Sequence, residues 1–238
     1  MIITIDGPAG TGKSTVAQRV ARELSFDFLD TGAMYRAVGL AALRRGVDLN
    51  DARELAFVAR HARIEFDWSQ SPPSVLLNGE PVGHQLRGGE ATRAASFVAT
   101  VSAIRERLVA EQRRIGSQRK NMVSEGRDQG SIVFPDAELK FYLDAAPPER
   151  ARRRAAQLRA RGELVDMAAL LADIVARDDR DKGRKVGALK VPVGAELIDT
   201  TGLEEDEVVG RIVSKAKALQ TSPTSAESMS AHHASHRR

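Results

Sequence analysis

The chain has no cysteine, so neither a disulfide framework nor a thiolate metal site is open to it, and a cytoplasmic setting is the expectation. Aromatic residues make up only 4% of its 238 positions, too few to supply stacking platforms for single-stranded nucleic acid. Every long apolar run meets Arg, Glu or Asp well short of the roughly 18 residues a membrane-spanning helix needs, so no membrane partner is expected. The first strand-like run begins at Ile2 and reaches a glycine at Gly7, so no secretory leader is expected. Arginine, by contrast, is plentiful, and the net charge is +4. Charge of that sign fits polyanions and small phosphates about equally. With aromatics scarce, the arginines need an explanation other than nucleic acid. A hydrophobic fraction of 42% and a charged fraction of 29% describe an ordinary globular chain of one large domain, or one domain with a small insertion.

Hydrophobic periodicity gives an alternating α/β order. Ile2, Ile3 and Ile5 form a short buried strand, and Val16, Val20, Ala21 and Leu24 recur at helical spacing over 13–24. A short strand at 27–29 and helices at 33–45 and 51–61 follow. Ile64, Phe66 and Trp68 then alternate with Glu65 and Asp67, and 74–77 and 80–82 flank Asn78-Gly79, a type I′ hairpin signal. Residues 62–85 thus read as a small antiparallel sheet inserted between helices. One helix is expected over 91–115, with buried strands at 122–125 and 139–143. An arginine-dense helix runs over 149–161 and ends at Gly162. Another spans 165–181, a last strand 196–199, and a final helix runs to 219 with Thr201 and Glu204 at capping-box spacing. The Ser/Thr/Ala/His segment 221–238 has almost nothing to bury and is expected to be disordered.

Between the first strand and first helix lies Gly7-Pro8-Ala9-Gly10-Thr11-Gly12-Lys13-Ser14, a full match to G-x-x-x-x-G-K-[ST]. Glycines let successive backbone N–H groups turn toward phosphate oxygens, and the helix beginning at Lys13 adds its positive end. Lys13 can reach a transferring phosphate and Ser14 can ligate Mg²⁺. The loop and Thr15 behind it specify ATP or GTP but not what receives the phosphate. No [NT]-K-x-D element marks a GTPase, and Met122 to Glu125 is only a partial match to the acidic strand of motor ATPases. What the chain offers instead is arginine at several separated loop and helix positions, as transfer between two anionic nucleotides requires.

Five segments then carry a specific likeness: the strand and loop from Ile3, Leu29-Asp30-Thr31-Gly32-Ala33-Met34-Tyr35-Arg36, Glu125-Gly126-Arg127-Asp128, Val133-Phe134-Pro135-Asp136-Ala137, and Arg177-Asp178-Asp179-Arg180-Asp181. With them the chain, from residue 1 to about 219, resembles the bacterial cytidylate kinases, a family of nucleoside monophosphate kinases. That resemblance implies a phosphate-loop fold: a parallel five-stranded sheet flanked by helices, with an inserted antiparallel β-subdomain (62–85) that binds the monophosphate and a short lid at about 155–166, in a kinase domain over 1–220. It implies transfer of the γ-phosphate of ATP to CMP or dCMP with Mg²⁺. A monomer is expected, and with aromatics scarce and the arginines tied to loops, no nucleic acid partner is.

The same resemblance assigns roles. Arg36 and Arg127 take the acceptor phosphate, with Thr31 on the acceptor side, a task suited to the bidentate fork of arginine. Asp128 reads the cytosine amino group, Ser96 and Arg105 lie at the base edge, Arg177 and Asp181 bind ribose, and Arg184 closes over the phosphates. Lys13, Arg127, Arg177 and Arg184 form the catalytic set. Arg154 is the candidate for a further contact with ATP. Arg177, Asp181 and Arg184 have i, i+4, i+7 spacing and share a face if the helix reaches Arg184. Val101-Ser102-Ala103-Ile104 and Gly187-Ala188-Leu189 depart from the family's usual stretches, both of which contain proline. Asp6, Asp30 and Glu125 are read either as acids near the phosphates or as caps and arginine partners. His61 and His84 have no metal-spaced companions. Two other readings stay open: a kinase for UMP, AMP or a metabolite such as shikimate, and an ATP-sensing nucleic-acid-binding protein.

Overall fold

The computed structural model describes residues 1–221. The tail expected from 221 onward lies outside them except for Thr221, which instead closes the last helix. In chain order, β1 (Ile2–Asp6) leads through the glycine loop into α1 (Lys13–Leu24), and β2 (Asp27–Asp30) into α2 (Thr31–Arg44). After α3 (Ala52–His61) come β3 (Ile64–Asp67), β4 (Ser74–Leu77) and β5 (Glu80–Pro81). Next are α4 (Gly89–Val98), α5 (Ser102–Ser117), β6 (Met122–Glu125), a π-helical turn at Gln129–Val133 and β7 (Leu139–Asp144). The described chain ends with α6 (Pro147–Arg159), α7 (Met167–Lys182), β8 (Glu196–Asp199) and α8 (Glu205–Thr221).

Five strands make one parallel sheet in the order β2-β6-β1-β7-β8. Helices cover both faces, so Ile3, Thr4, Ile5, Val123 and Ser124 of the central strands are all buried. Met122 and Leu29 face a cluster built with α2, α3 and α5, while Val123, Ile3, Ile5, Phe141 and Ile198 face one built with α1 and α8. The expected second sheet is present as β3-β4-β5, antiparallel throughout. Asn78 (φ 55°) and Gly79 (φ 84°) form its two-residue turn, and Pro81 lies on the edge strand, where a missing N–H costs nothing. Ile64, Val75, Leu77 and Val82 bury into the same core as α2. The insertion therefore shares an apolar core with α2.

Three features differ from expectation, each for a local reason, and the end of α7 settles a fourth point. The single helix over 91–115 is two helices: the chain turns at residues 99–101, where the Thr100 hydroxyl bonds the Phe97 carbonyl (2.7 Å) and Val101 is extended. Helix α2 starts earlier because the Asp30 carboxylate caps it through the Ala33 N–H (2.8 Å). The capping pair of α8 is Glu204 with Glu207, whose carboxylate accepts from the Glu204 N–H (2.9 Å). Thr201 instead accepts from Ala146 N–H (3.1 Å), locking the end of β8 to the start of α6. Helix α7 stops at Lys182, before Arg184, so the shared helical face does not extend to that arginine.

Candidate active site

Register alone brings the acids together. Asp30 and Ile5 both pair with Glu125, so the carboxyl ends of β2, β6 and β1 present Asp30, Glu125 and Asp6 side by side at the edge where α/β sheets bind ligands. Each acid has a definite job. Asp30 caps α2 and pairs with Arg36 (2.7 Å). Glu125 accepts from the Ser14 hydroxyl (2.6 Å), and its pKa is raised by burial and then by Asp30. The Asp6 carboxylate accepts from the N–H groups of Gln129 and Gly130, both at 2.8 Å, and so pins the turn that follows Arg127 and Asp128. Burial outweighs those two donors and pushes Asp6 up to about 7.

The phosphate loop wraps around Lys13, whose ammonium donates to the Pro8 carbonyl (2.6 Å). Burial, with Arg127 next, pushes Lys13 down to about 7, an environment waiting for anionic charge. Thr15 is exposed on the first turn of α1. Ser14 and Glu125 offer hard oxygen donors beside the loop, which fits Mg²⁺ held jointly with nucleotide phosphates. Among the described residues no cluster of three or more His, Asp or Glu forms a cage by itself.

Facing the loop is the cationic set. Arg127 donates through Nε to Asp181 (2.9 Å) and through Nη1 to the Gly126 carbonyl (3.1 Å). Asp181, 1% exposed, also holds Arg184, which reaches it from beyond the helix end. Arg177 lies in the same cluster with its Nε buried and unpartnered; burial and then Arg127 depress it to about 10. Arg36 flanks this group from α2, and Thr31 donates to the Glu125 carbonyl (2.7 Å). Arg105 and Asp128 form a fully buried ion pair, and the Arg105 guanidinium stands 5.5 Å over the Tyr35 ring. Gly187 (φ 65°) packs directly on that pair, leaving no room for a Cβ, which explains a glycine in that departing stretch. Ser96 accepts from Arg180 Nε (3.1 Å) at the margin of the group.

Two arginines of α6 are placed differently. Arg154 bonds Gln157 on its own helix (3.3 Å). The α6 arginine that reaches the loop is Arg150, which donates to the Ala9 carbonyl (3.1 Å) and pairs with Asp178 (2.6 Å). Sequence reasoning missed both Arg150 and Asp178. The available signal was position: Arg150 adjoins Ala151 and Ala155 on the buried side of an otherwise solvated helix.

A glycine loop at the carboxyl edge of a parallel sheet, with a facing arginine cluster and buried acids, defines a phosphate-loop phosphotransferase. The family model described as cytidylate kinase matches residues 3–218. The chain belongs to the cytidylate kinase family. It is 46% identical to the cytidylate kinase of Caldanaerobacter subterraneus subsp. tengcongensis, over 88% of this chain and 92% of that one. Its likeness to the cytidylate kinase of Rhodococcus jostii is 44% over 90% and 93%, and to that of Vibrio cholerae 44% over 87% and 92%. Among solved structures, an uncharacterized protein from Eubacterium ventriosum aligns with a TM-score of 0.52 at 14% identity, covering 92% of this chain and 98% of that one, a likeness of fold alone.

Proposed function

We propose that the chain transfers the γ-phosphate of ATP to CMP or dCMP, giving ADP and CDP or dCDP. The observation that carries this is the opposition, on one sheet edge, of the Gly7–Ser14 loop and the cluster of Arg36, Arg127, Arg177 and Arg184, with a buried Asp128 beside it.

ATP lies along the loop, with the backbone N–H groups of Gly7, Pro8's successors Ala9, Gly10, Thr11 and Gly12, and Lys13 turned to its phosphates. Arg36 and Arg127 grip the acceptor phosphate in bidentate fashion. That phosphate is already an anion at neutral pH, so no general base is needed, and neither Asp6 nor Glu125 is asked to serve as one. Lys13, Arg127, Arg177 and Arg184 offset the charge on the transferring group, and the rate comes from alignment and electrostatics. Ser14 and Glu125 would hold Mg²⁺ bound together with ATP, and the ion would supply neutralisation of phosphate charge.

Asp128 accepts from the exocyclic amine of cytosine. Arg105 occupies one of its oxygens, and a carboxylate has capacity for a further donor. Asp181 and Arg177 bind the ribose, and Ser96 completes the base edge. Arg154, at the mouth of the segment leaving α6, contacts ATP when residues of about 155–166 close as a lid. Closure of that lid and the 62–85 sheet excludes water, which would otherwise take the phosphate. The reading includes a monomer acting in pyrimidine nucleotide metabolism, and the cysteine-free composition supports a cytoplasmic setting.

The test is a coupled ADP-release assay with CMP, dCMP, UMP and AMP as acceptors. CMP and dCMP should exceed AMP by at least about tenfold in kcat/KM, the worth of one hydrogen bond to a charged group. Equal use of AMP and CMP overturns the acceptor assignment.

A further inference from the structure

Arg150 sits at a junction of three elements. Its Nε donates to the Ala145 carbonyl at the end of β7 (2.8 Å), and its Nη1 to the Ala9 carbonyl at the apex of the phosphate loop (3.1 Å). Its Nη2 pairs with Asp178 on α7 (2.6 Å). Arginine and acid are 2% and 5% exposed, so little solvent screens the pair. The loop also touches Arg150 through its backbone, since a Cβ at Gly10 would come within 3.1 Å of the Arg150 Cβ.

Asp178 is the neighbour of Arg177 and lies one helical turn before Asp181. Asp181 in turn holds Arg127 and Arg184. Asp178 is also close enough to Arg127 to favour its charged form, after Asp181 and Glu125. The last turn of α7 therefore has two anchors. One is the acceptor-side arginines through Asp181, and the other is the donor loop through Asp178 and Arg150.

We propose that Arg150 is a positioning residue: through Asp178 it ties the apex of the phosphate loop to the end of α7, so that occupation of the donor site strengthens binding at the acceptor site and the reverse. This rests on the donor and acceptor assignments above. Coupling of this kind is a free energy shared between two sites, and it is reciprocal. The physical basis is stiffness. Three hydrogen bonds from one planar group, one of them to a buried carboxylate, fix the distance between Ala9 and α7, so ordering one end orders the other. A lysine at the position is a point charge that reaches one of these partners, not all three.

The experiment measures the dissociation constant of CMP by titration calorimetry, with and without the non-transferring analogue adenylyl imidodiphosphate and Mg²⁺, on the full chain. The parent should bind CMP about fivefold or more tightly when the analogue is present, a typical coupling. In Asp178→Asn that factor should fall toward one, while CMP alone binds within about twofold of the parent; Arg150→Lys should fall between the two. A second variant, Arg150→Met with Asp178→Leu, replaces the buried pair by apolar side chains, an exchange that commonly keeps or raises stability. A purely structural pair predicts that this double variant regains both melting temperature and coupling. A positioning pair predicts that stability returns and coupling does not. Coupling that survives in Asp178→Asn or in the double variant, or a parent factor of one, overturns the proposal. A parent that binds the analogue but no CMP sinks the functional reading, and this inference with it.

Discussion

Removal of Arg36 separates the acceptor role from a merely structural one. In the structure its Nη2 pairs with Asp30 (2.7 Å), and the two side chains are 24% and 20% exposed. Asp30 keeps its second oxygen on the Ala33 N–H (2.8 Å), so Arg36→Ala leaves the helix cap intact and no carboxylate stranded. A partly exposed pair of this type is worth about 0–1 kcal/mol, which corresponds to a fall of at most about 4 °C in melting temperature for a chain this size. The loss at the acceptor phosphate is larger, because a charge-assisted bond there contributes about 1.5–3 kcal/mol. At about 1.4 kcal/mol per decade, kcat/KM for CMP should drop roughly 10- to 150-fold. The KM for ATP should stay within about twofold. Arg36→Lys should recover part of the loss, since it returns the charge without the fork. The assay is coupled ADP release with each substrate varied at saturating levels of the other, alongside a thermal melt. An equal loss toward ATP and CMP, or no loss at all, refutes the reasoning.

Three further outcomes follow from particular contacts. Asp6 has a folded-state pKa raised to about 7 from 3.8; its contribution to stability is full below about 4 and lost as pH rises through 7. In urea unfolding series, Asp6→Asn should therefore lose less stability between pH 4 and pH 7 than the parent, and parallel curves would contradict this. Gly7→Ala should fail to give folded protein or melt far lower, because φ is 143° and the Cβ would meet the Leu143 carbonyl of the neighbouring strand. Gly12→Ala has open space at φ 87° and should cost only about 1 kcal/mol by the same melt; equal losses would mean that the strand contact is not the cause.

The strongest elements were readable in one dimension because their causes are local. The phosphate loop is a contiguous run whose glycines set its own backbone, and the Asn78-Gly79 turn is dictated by two residues that accept positive φ. The parallel strands were visible as short apolar runs, and the helices expected over 51–61 and 165–181 start in the structure where Asp51 and Asp166 cap the N–H groups beside them. Boundaries failed where a competing local bond intervened, as at Thr100, or where a tertiary partner drew off the expected cap, as Ala146 does with Thr201.

What composition and motif determined by themselves was the chemistry on offer: a loop for phosphate, an excess of arginine to meet a second anion, and acids at strand ends. Only the tertiary structure decided who meets whom. Sheet order β2-β6-β1 aligns Asp30, Glu125 and Asp6 from positions far apart in the chain, and no spacing encodes that adjacency. Arg150 rather than Arg154 reaches the loop because of the rotation of α6 about its axis, set by which alanines bury. Arg184 finds Asp181 although its helix ends two residues earlier, because attraction in a buried site acts through space rather than along a helical face.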